Sequence, residues 1–342
     1  KQIGIWSDML IRYPQNISEL DKRTILFYWD YWSYGERVPF LTIGGGCSDT
    51  FILNRQDLHG DLEKMYRWTL IREKDEIPRG HIERFAKYYQ LDEANESAKA
   101  FPYLQFFKDM GLQTICALLP YTEKGSIFPN MQEKFEHIKG FLKEGKQTES
   151  IGYLSCLWQP HWPLIPLVKT ALRSIKYYDE NPEITESGLF SQLSSETKIP
   201  AELLKQRYSC SVNFEFADTL NIFWCPMPFD KRLQWIKDAG ITDDEKDRCK
   251  YVITACNDII NSKAFSSLEK LVQLTISELH LRASIELSLL NNSAATETKA
   301  EFLNQAENLL TQLHEEYHKI LSASSVNAYL SPRWESLLKF LK

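Results

Sequence analysis

The sequence predicts an α/β fold over its first half and an all-α region over its second. Three features carry that expectation. Short, nearly all-apolar runs recur up to about residue 178, as for strands covered on both faces. Amphipathic stretches of helical period lie between them, the alternation expected of βαβ units and a parallel sheet. From about residue 196 the strand signal fades and helical periodicity dominates.

Taken in order, the first two strands are expected at Ile3-Gly4-Ile5-Trp6 and Thr24-Ile25-Leu26-Phe27-Tyr28-Trp29. Residues 41–96 then break the rhythm as an insertion, opened by Gly44-Gly45-Gly46, with helices expected near 57–74 and 79–90. The triplet has no GxGxxG spacing and no Lys-Ser/Thr after it, so it reads as a loop rather than a phosphate cradle. A helix over 97–110 leads to a third strand, Thr114-Ile115-Cys116-Ala117-Leu118-Leu119. A helix over 130–144 leads to a fourth, Ile151-Gly152-Tyr153-Leu154-Ser155-Cys156-Leu157, followed by a helix over 162–178. Further helices are expected at 229–238, 243–262, 265–290 and 296–322, with a short last one near 331–341. Within 265–290, Leu268, Leu271, Leu274, Leu279, Leu281 and Ile285 trace an apolar stripe. The chain thus divides into residues 1–180 and a mainly helical region, 181–342.

Composition narrows the function. Of 342 residues, 43% are hydrophobic and 25% charged, an ordinary globular balance. A net charge of −6 without a basic cluster argues against nucleic acid as a partner. No apolar run approaches the roughly 20 residues that span a bilayer, so no membrane span is expected. The seven cysteines form no CxxC and several sit in apolar runs, which suits buried thiols and a reducing, cytoplasmic setting. The chain opens on Lys1 straight into a strand-like run, so residues are expected to precede it. Aromatics reach 13%, with 9 Trp, enough to furnish a stacking site as well as a core.

Those aromatics, with acidic residues, fall at the C-terminal ends of the expected strands. The first ends in Trp6-Ser7-Asp8-Met9, the second in Tyr28-Trp29-Asp30-Tyr31-Trp32, the third in Pro120-Tyr121 and the fourth in Trp158-Gln159-Pro160-His161-Trp162. In a parallel βα barrel these ends converge on one face. Indole and phenol faces with carboxylates suit a pyranose ring, which has apolar C–H faces and a polar rim. His161 would stand near the mouth of such a pocket, whereas His59, His81 and His137 fall on polar helix faces and read as solvated.

Here the residues resemble a known family. Ile5-Trp6-Ser7-Asp8-Met9 with Phe27-Tyr28-Trp29-Asp30-Tyr31 is similar to the fifth and sixth strands of glycoside hydrolase family 20, the β-N-acetylhexosaminidases. Gly152-Tyr153-Leu154-Ser155-Cys156-Leu157-Trp158 resembles its eighth strand, and Phe106, Lys108 and Gly111 fit its sixth helix before the seventh. The likeness covers about residues 1–178. It implies the second half of a (β/α)8 TIM-like barrel that removes terminal N-acetylhexosamines, such as N-acetylglucosamine, by substrate-assisted retention without a cofactor. The substrate's acetamido oxygen then replaces an enzyme nucleophile, an Asp orients it and a Glu is the general acid. Carried over, Trp6, Trp29 and Trp158 would wall the pocket, Tyr121 would bond the acetamide, and Asp8 and Asp30 would be rim residues or supports beneath it.

The chain also departs from the family. It begins at the fifth strand, so strands one to four and the catalytic Asp-Glu pair are expected upstream of Lys1. Asp75-Glu76, Asp92-Glu93 and Asp244-Glu245 lie in polar stretches rather than after a buried strand, which excludes them as that pair. Pro160 stands where the family carries a carboxylate for sugar hydroxyls. A half barrel would leave open strand edges and an apolar inner face, so the missing half is the expected partner. Two rival readings stay open: a non-catalytic carbohydrate-binding or scaffolding relative, and a zinc hydrolase. The latter would use the HExxH of His314, Glu315 and His318, with Glu335 as third ligand; a surface helix that spells the motif by composition is the simpler account.

Overall fold

A computed structural model describes residues 2–31, 33–44, 49–53, 71–120, 131–157, 165–209, 228–263, 265–291 and 296–342. It forms two compact units, one of residues 1–121, 131–158 and 170–192, the other chiefly of 193–342. The strands are β1 (Gly4–Trp6), β2 (Ile25–Trp29), β3 (Arg37–Val38), β4 (Phe40–Ile43), β5 (Asp49–Ile52), β6 (Ile71–Glu73), β7 (Ala98–Lys99), β8 (Gln113–Leu118) and β9 (Gly152–Ser155). The helices up to the end of the sheet region are α1 (Asp8–Arg12), α2 (Arg79–Tyr89), α3 (Pro102–Asp109), α4 (Met131–Gln147) and α5 (Ile165–Glu180).

The expected α/β pattern is present. The four apolar runs pair as one parallel sheet in the order β1-β2-β8-β9, which is their order along the chain. Right-handed crossovers between strands that never reverse direction across the sheet put the connecting helices on one face. Register assigns the two faces, because paired residues of parallel strands point the same way. Trp6, Phe27, Ile115 and Gly152 share one face, joined by Trp29, Ala117 and Leu154. Ile5 and Leu26, with Tyr28 and Cys116, share the other.

The second face is the covered one. The Tyr28 ring lies edge-on to Phe107 of α3 and Phe141 of α4, at 6.2 and 5.4 Å between centroids. The Cys116 thiol donates to the Phe141 carbonyl, and burial pushes its pKa up to about 12, so it stays a protonated thiol. The first face is apolar yet less covered: Phe27, Trp29 and Ile115 are half-buried, and Trp6 and Leu154 are 39% and 40% exposed. The expectation of burial on both faces therefore fails at the outer strands β1 and β9.

The insertion carries more strand than its sequence suggests. β4 and β5 pair antiparallel, and β6 adds parallel to β5. Residues 57–70 of one expected helix lie outside the described residues, and its end, Ile71–Glu73, is β6. β3 and β7 pair antiparallel and close the base of the excursion.

α4 approaches the loop after β2 at two glycines. Gly35 adopts φ +68°, and a Cβ on Gly140 would overlap the Gly35 carbonyl oxygen. Because the obstacle is backbone, Gly140→Ala should cost about 1–3 kcal/mol. Urea unfolding measures this, and a loss under roughly 0.5 kcal/mol would show that the loop yields freely.

Two helices not anticipated from the sequence follow, α6 (Glu186–Thr197) and α7 (Ala201–Ser209). The second unit is built on α8 (Phe229–Asp238), α9 (Thr242–Ile260), α10 (Lys270–Leu290), α11 (Thr296–His318) and α12 (Ala323–Leu341). Its core follows the helical period: Ala306, Leu309, Leu313 and Tyr317 on α11 meet Val326, Leu330, Trp334, Leu337 and Leu341 on α12. α12 starts at a Ser322 cap, whose hydroxyl accepts from the Ser325 amide at 3.3 Å, and runs through Pro332. It is longer than expected because this apolar stripe spans the proline. No helix among the described residues is long and apolar enough to cross a membrane.

Candidate functional site

All four central strands are parallel, so their C-terminal ends lie along one edge of the sheet. Trp6 ends β1 with its ring 5.4 Å from Phe27. Trp29 ends β2 with its ring 4.9 Å from Tyr31, packed on a cluster of Tyr31, Ala117, Leu119 and Cys156. The sheet thus brings together aromatic side chains from β1 and β2 and apolar ones from β8 and β9. Asp8 is the half-exposed first residue of α1, where a carboxylate complements the helix dipole. Tyr121, Trp158 and His161, also expected at this edge, lie outside the described residues.

Asp30 takes the supporting position. Strand alternation turns it from the Trp29 face to the helix side, where it is buried. Its carboxylate accepts the Ser33 hydroxyl at 2.6 Å, the Ser33 amide at 3.1 Å and the Tyr28 hydroxyl at 3.4 Å. These bonds tie the chain after β2 into a tight turn.

His137 corrects the sequence expectation. It is 2% exposed, not solvated, with its ring edge-on to Phe101 and Phe141. Its Nδ1 lies 2.8 Å from the Ser33 carbonyl, and its Nε2 lies 3.3 Å from the Leu119 amide nitrogen. A carbonyl only accepts and an amide N–H only donates, so Nδ1 carries the proton and the ring is neutral. Burial, then the charge of Lys134, pushes the pKa down to about 3 against the opposing bond to Ser33. One signal was legible: His137 stands four residues before Phe141, on the same face of α4. His81 is also half-buried and stacks on Phe85 at 5.5 Å, and His59 lies outside the described residues.

Asp30, Ser33 and His137 are residue types of a hydrolytic triad, but they are not wired as one. The Ser33 hydroxyl faces the carboxylate, and His137 meets the Ser33 carbonyl rather than its hydroxyl. Ser33 is therefore not an activated nucleophile.

The second unit holds a buried ionic cluster. Arg232 donates to Glu286 at 2.9 and 3.0 Å and to Glu245 at 2.6 Å, and Arg248 donates to the other Glu245 oxygen at 2.6 Å. Burial, with the nearby Glu286 charge, holds the Glu245 carboxyl above its usual range against the pull of Arg232 and Arg248. Glu245, of the Asp244-Glu245 pair in a polar stretch, has a fully buried side chain. Glu245, Cys249 and Glu286 stand close enough to share a cation. Arg232 already occupies both carboxylates, and burial raises the Cys249 pKa, so the donor set does not suit a metal ion.

The HExxH lies on the outer side of α11. His314 is half-buried, Glu315 and His318 are exposed, and the two imidazole centroids are 6.0 Å apart. Glu335 is exposed on α12. The groups of three metal-ligating side chains among the described residues do not include this pair.

Each unit also has a cleft lined by other residues. One, of about 410 Å³ in the first unit, is bordered by Glu36, Arg37, Lys99, Lys143 and Glu144. Its lysines are already engaged, Lys99 with Glu144 at 2.7 Å and Lys143 with Glu36 at 2.6 Å. The other, of about 440 Å³, runs along α10 and α11 between amide side chains such as Gln305 and Gln312. No family model, curated protein or solved structure matches this chain.

Proposed function

We propose that this chain is the second half of a (β/α)8 barrel of an exo-acting β-N-acetylhexosaminidase, similar to glycoside hydrolase family 20. The observation that carries the reading is the unreversed strand order with an aromatic, half-open face. A parallel sheet wound one way leaves its inner face bare unless it closes on itself. Here that face holds Trp6, Phe27, Trp29, Ile115 and Leu154. On this reading the barrel's other half lies upstream of Lys1, covers the β1 and β9 edges and supplies the Asp-Glu pair. The substrate is an N-acetylhexosamine-bearing glycan.

Each residue of this chain then has a definite task. Trp6, Trp29 and Trp158 exclude water around the sugar and its acetamide, and the Tyr121 hydroxyl donates to the acetamido oxygen. That oxygen attacks the anomeric carbon as the leaving group takes a proton from the upstream acid, and water opens the cyclic intermediate. Asp8 borders the pocket, His161 stands at its mouth, and Asp30 supports its floor.

Hydrolysis of a chromogenic N-acetylglucosaminide and its galacto epimer by the full-length protein tests the reading, with a thiazoline analogue as inhibitor. Trp158→Ala should lower kcat/KM roughly a hundredfold. An unchanged rate in a folded variant removes Trp158 from the site. A second reading, a carbohydrate-binding relative without activity, is favoured by Pro160 in place of the sugar-binding carboxylate. Sugar binding without turnover would select it.

A further inference from the structure

We propose that His137 is a positioning residue for the strand-end pocket, holding the loop after β2 at a set distance from the loop after β8. One ring spans both. Nδ1–H donates to the Ser33 carbonyl, and Nε2 accepts the Leu119 amide N–H. Ser33 lies two residues beyond Tyr31 and is fastened to Asp30 through its hydroxyl and its amide. Leu119 follows directly on β8 and packs in the Trp29 cluster. Any change in the length or tilt of the imidazole therefore moves the loop after β2 relative to Leu119 and the Trp29 cluster. Phe101 and Phe141 both meet the ring edge-on from one side, which limits its freedom to turn. The stacking of those two phenyl rings at 4.4 Å makes that support stiff.

The pocket's use for hexosaminides rests on the function proposed above, but the strap does not. Two variants divide its bonds. In His137→Asn the amide Nδ2–H replaces Nδ1–H and keeps the bond to Ser33, while the Leu119 amide loses its acceptor. In His137→Gln the amide oxygen takes the Nε2 place and keeps Leu119, while the Ser33 carbonyl is released.

Site-resolved amide hydrogen exchange on the full-length protein reads the strap directly. Leu119 exchange should rise roughly tenfold or more in His137→Asn and stay near the native rate in His137→Gln. Chromogenic N-acetylglucosaminide kinetics read the pocket: KM should rise roughly tenfold in both variants, beyond any change in the folded fraction. Native Leu119 protection in His137→Asn would overturn the strap. A lower Tm with native KM in the folded protein would reduce His137 to a core residue and overturn the positioning role. If the native protein turns over no hexosaminide, the proposed activity fails, and the exchange pattern alone decides His137.

Discussion

Arg232→Met should lower the unfolding free energy by about 3–5 kcal/mol, because removing one partner of a buried ion pair strands the other. Here the one arginine serves two carboxylates. Glu245 and Glu286 are 0% and 1% exposed, and Arg232 bonds both. Arg248 still reaches Glu245. The variant must either bury a second negative charge or bind a proton. Glu245 already sits above its usual range in the native protein, and without Arg232 it should rise further. A carboxyl with a raised folded pKa stabilises at low pH and loses that contribution as pH rises. The deficit should therefore be larger at about pH 8 than at about pH 5.5. Urea unfolding of both proteins at the two pH values measures it, and a deficit below about 1 kcal/mol at both would mean water solvates the cluster.

The second large effect is acid lability through His137. Its folded pKa, about 3, lies below the ordinary 6.5. Between those values the unfolded chain binds the extra proton and the folded chain does not, so stability falls as pH falls through that window. Each unit is worth about 1.4 kcal/mol at most, so roughly 2–3 kcal/mol should be lost between about pH 6.5 and about pH 4.5. The cause is burial of the imidazole, helped by the charge of Lys134; protonation would also turn Nε2 from acceptor into a donor facing the Leu119 N–H. Glu245 works in the opposite sense over part of this range, so the quantity to read is the difference between the native protein and His137→Gln. Parallel pH profiles for the two would assign the acid loss elsewhere.

The parts of the molecule legible in the sequence are those set by near neighbours. The runs at Ile25–Trp29 and Gln113–Leu118 are β-branched and aromatic, and they are strands. Phe229–Asp238 begins and ends where its periodicity does. The candidate site was legible only in part: Trp6, Trp29 and Asp30 fall at strand ends as expected, but the side of the sheet each faces needed the register. His137 was misread because its partner is distant, and the buried ionic cluster was not foreseen for the same reason. Ser33 lies 104 residues from His137, and Glu286 lies 54 from Arg232.

Read alone, the residues specified the four central strands, most of the helices and the gathering of aromatics at strand ends, since local propensity and hydrophobic period act within a few residues. Tertiary structure decided the rest. It chose the unreversed sheet order, the half-open aromatic face and the continuation of α12 through Pro332, where packing along Val326, Leu330, Trp334, Leu337 and Leu341 outweighs one missing donor. It also decided which polar side chains are buried. A lone His or Glu in a helix reads as solvated until a carbonyl, an amide or an arginine from elsewhere in the chain removes the cost of leaving water.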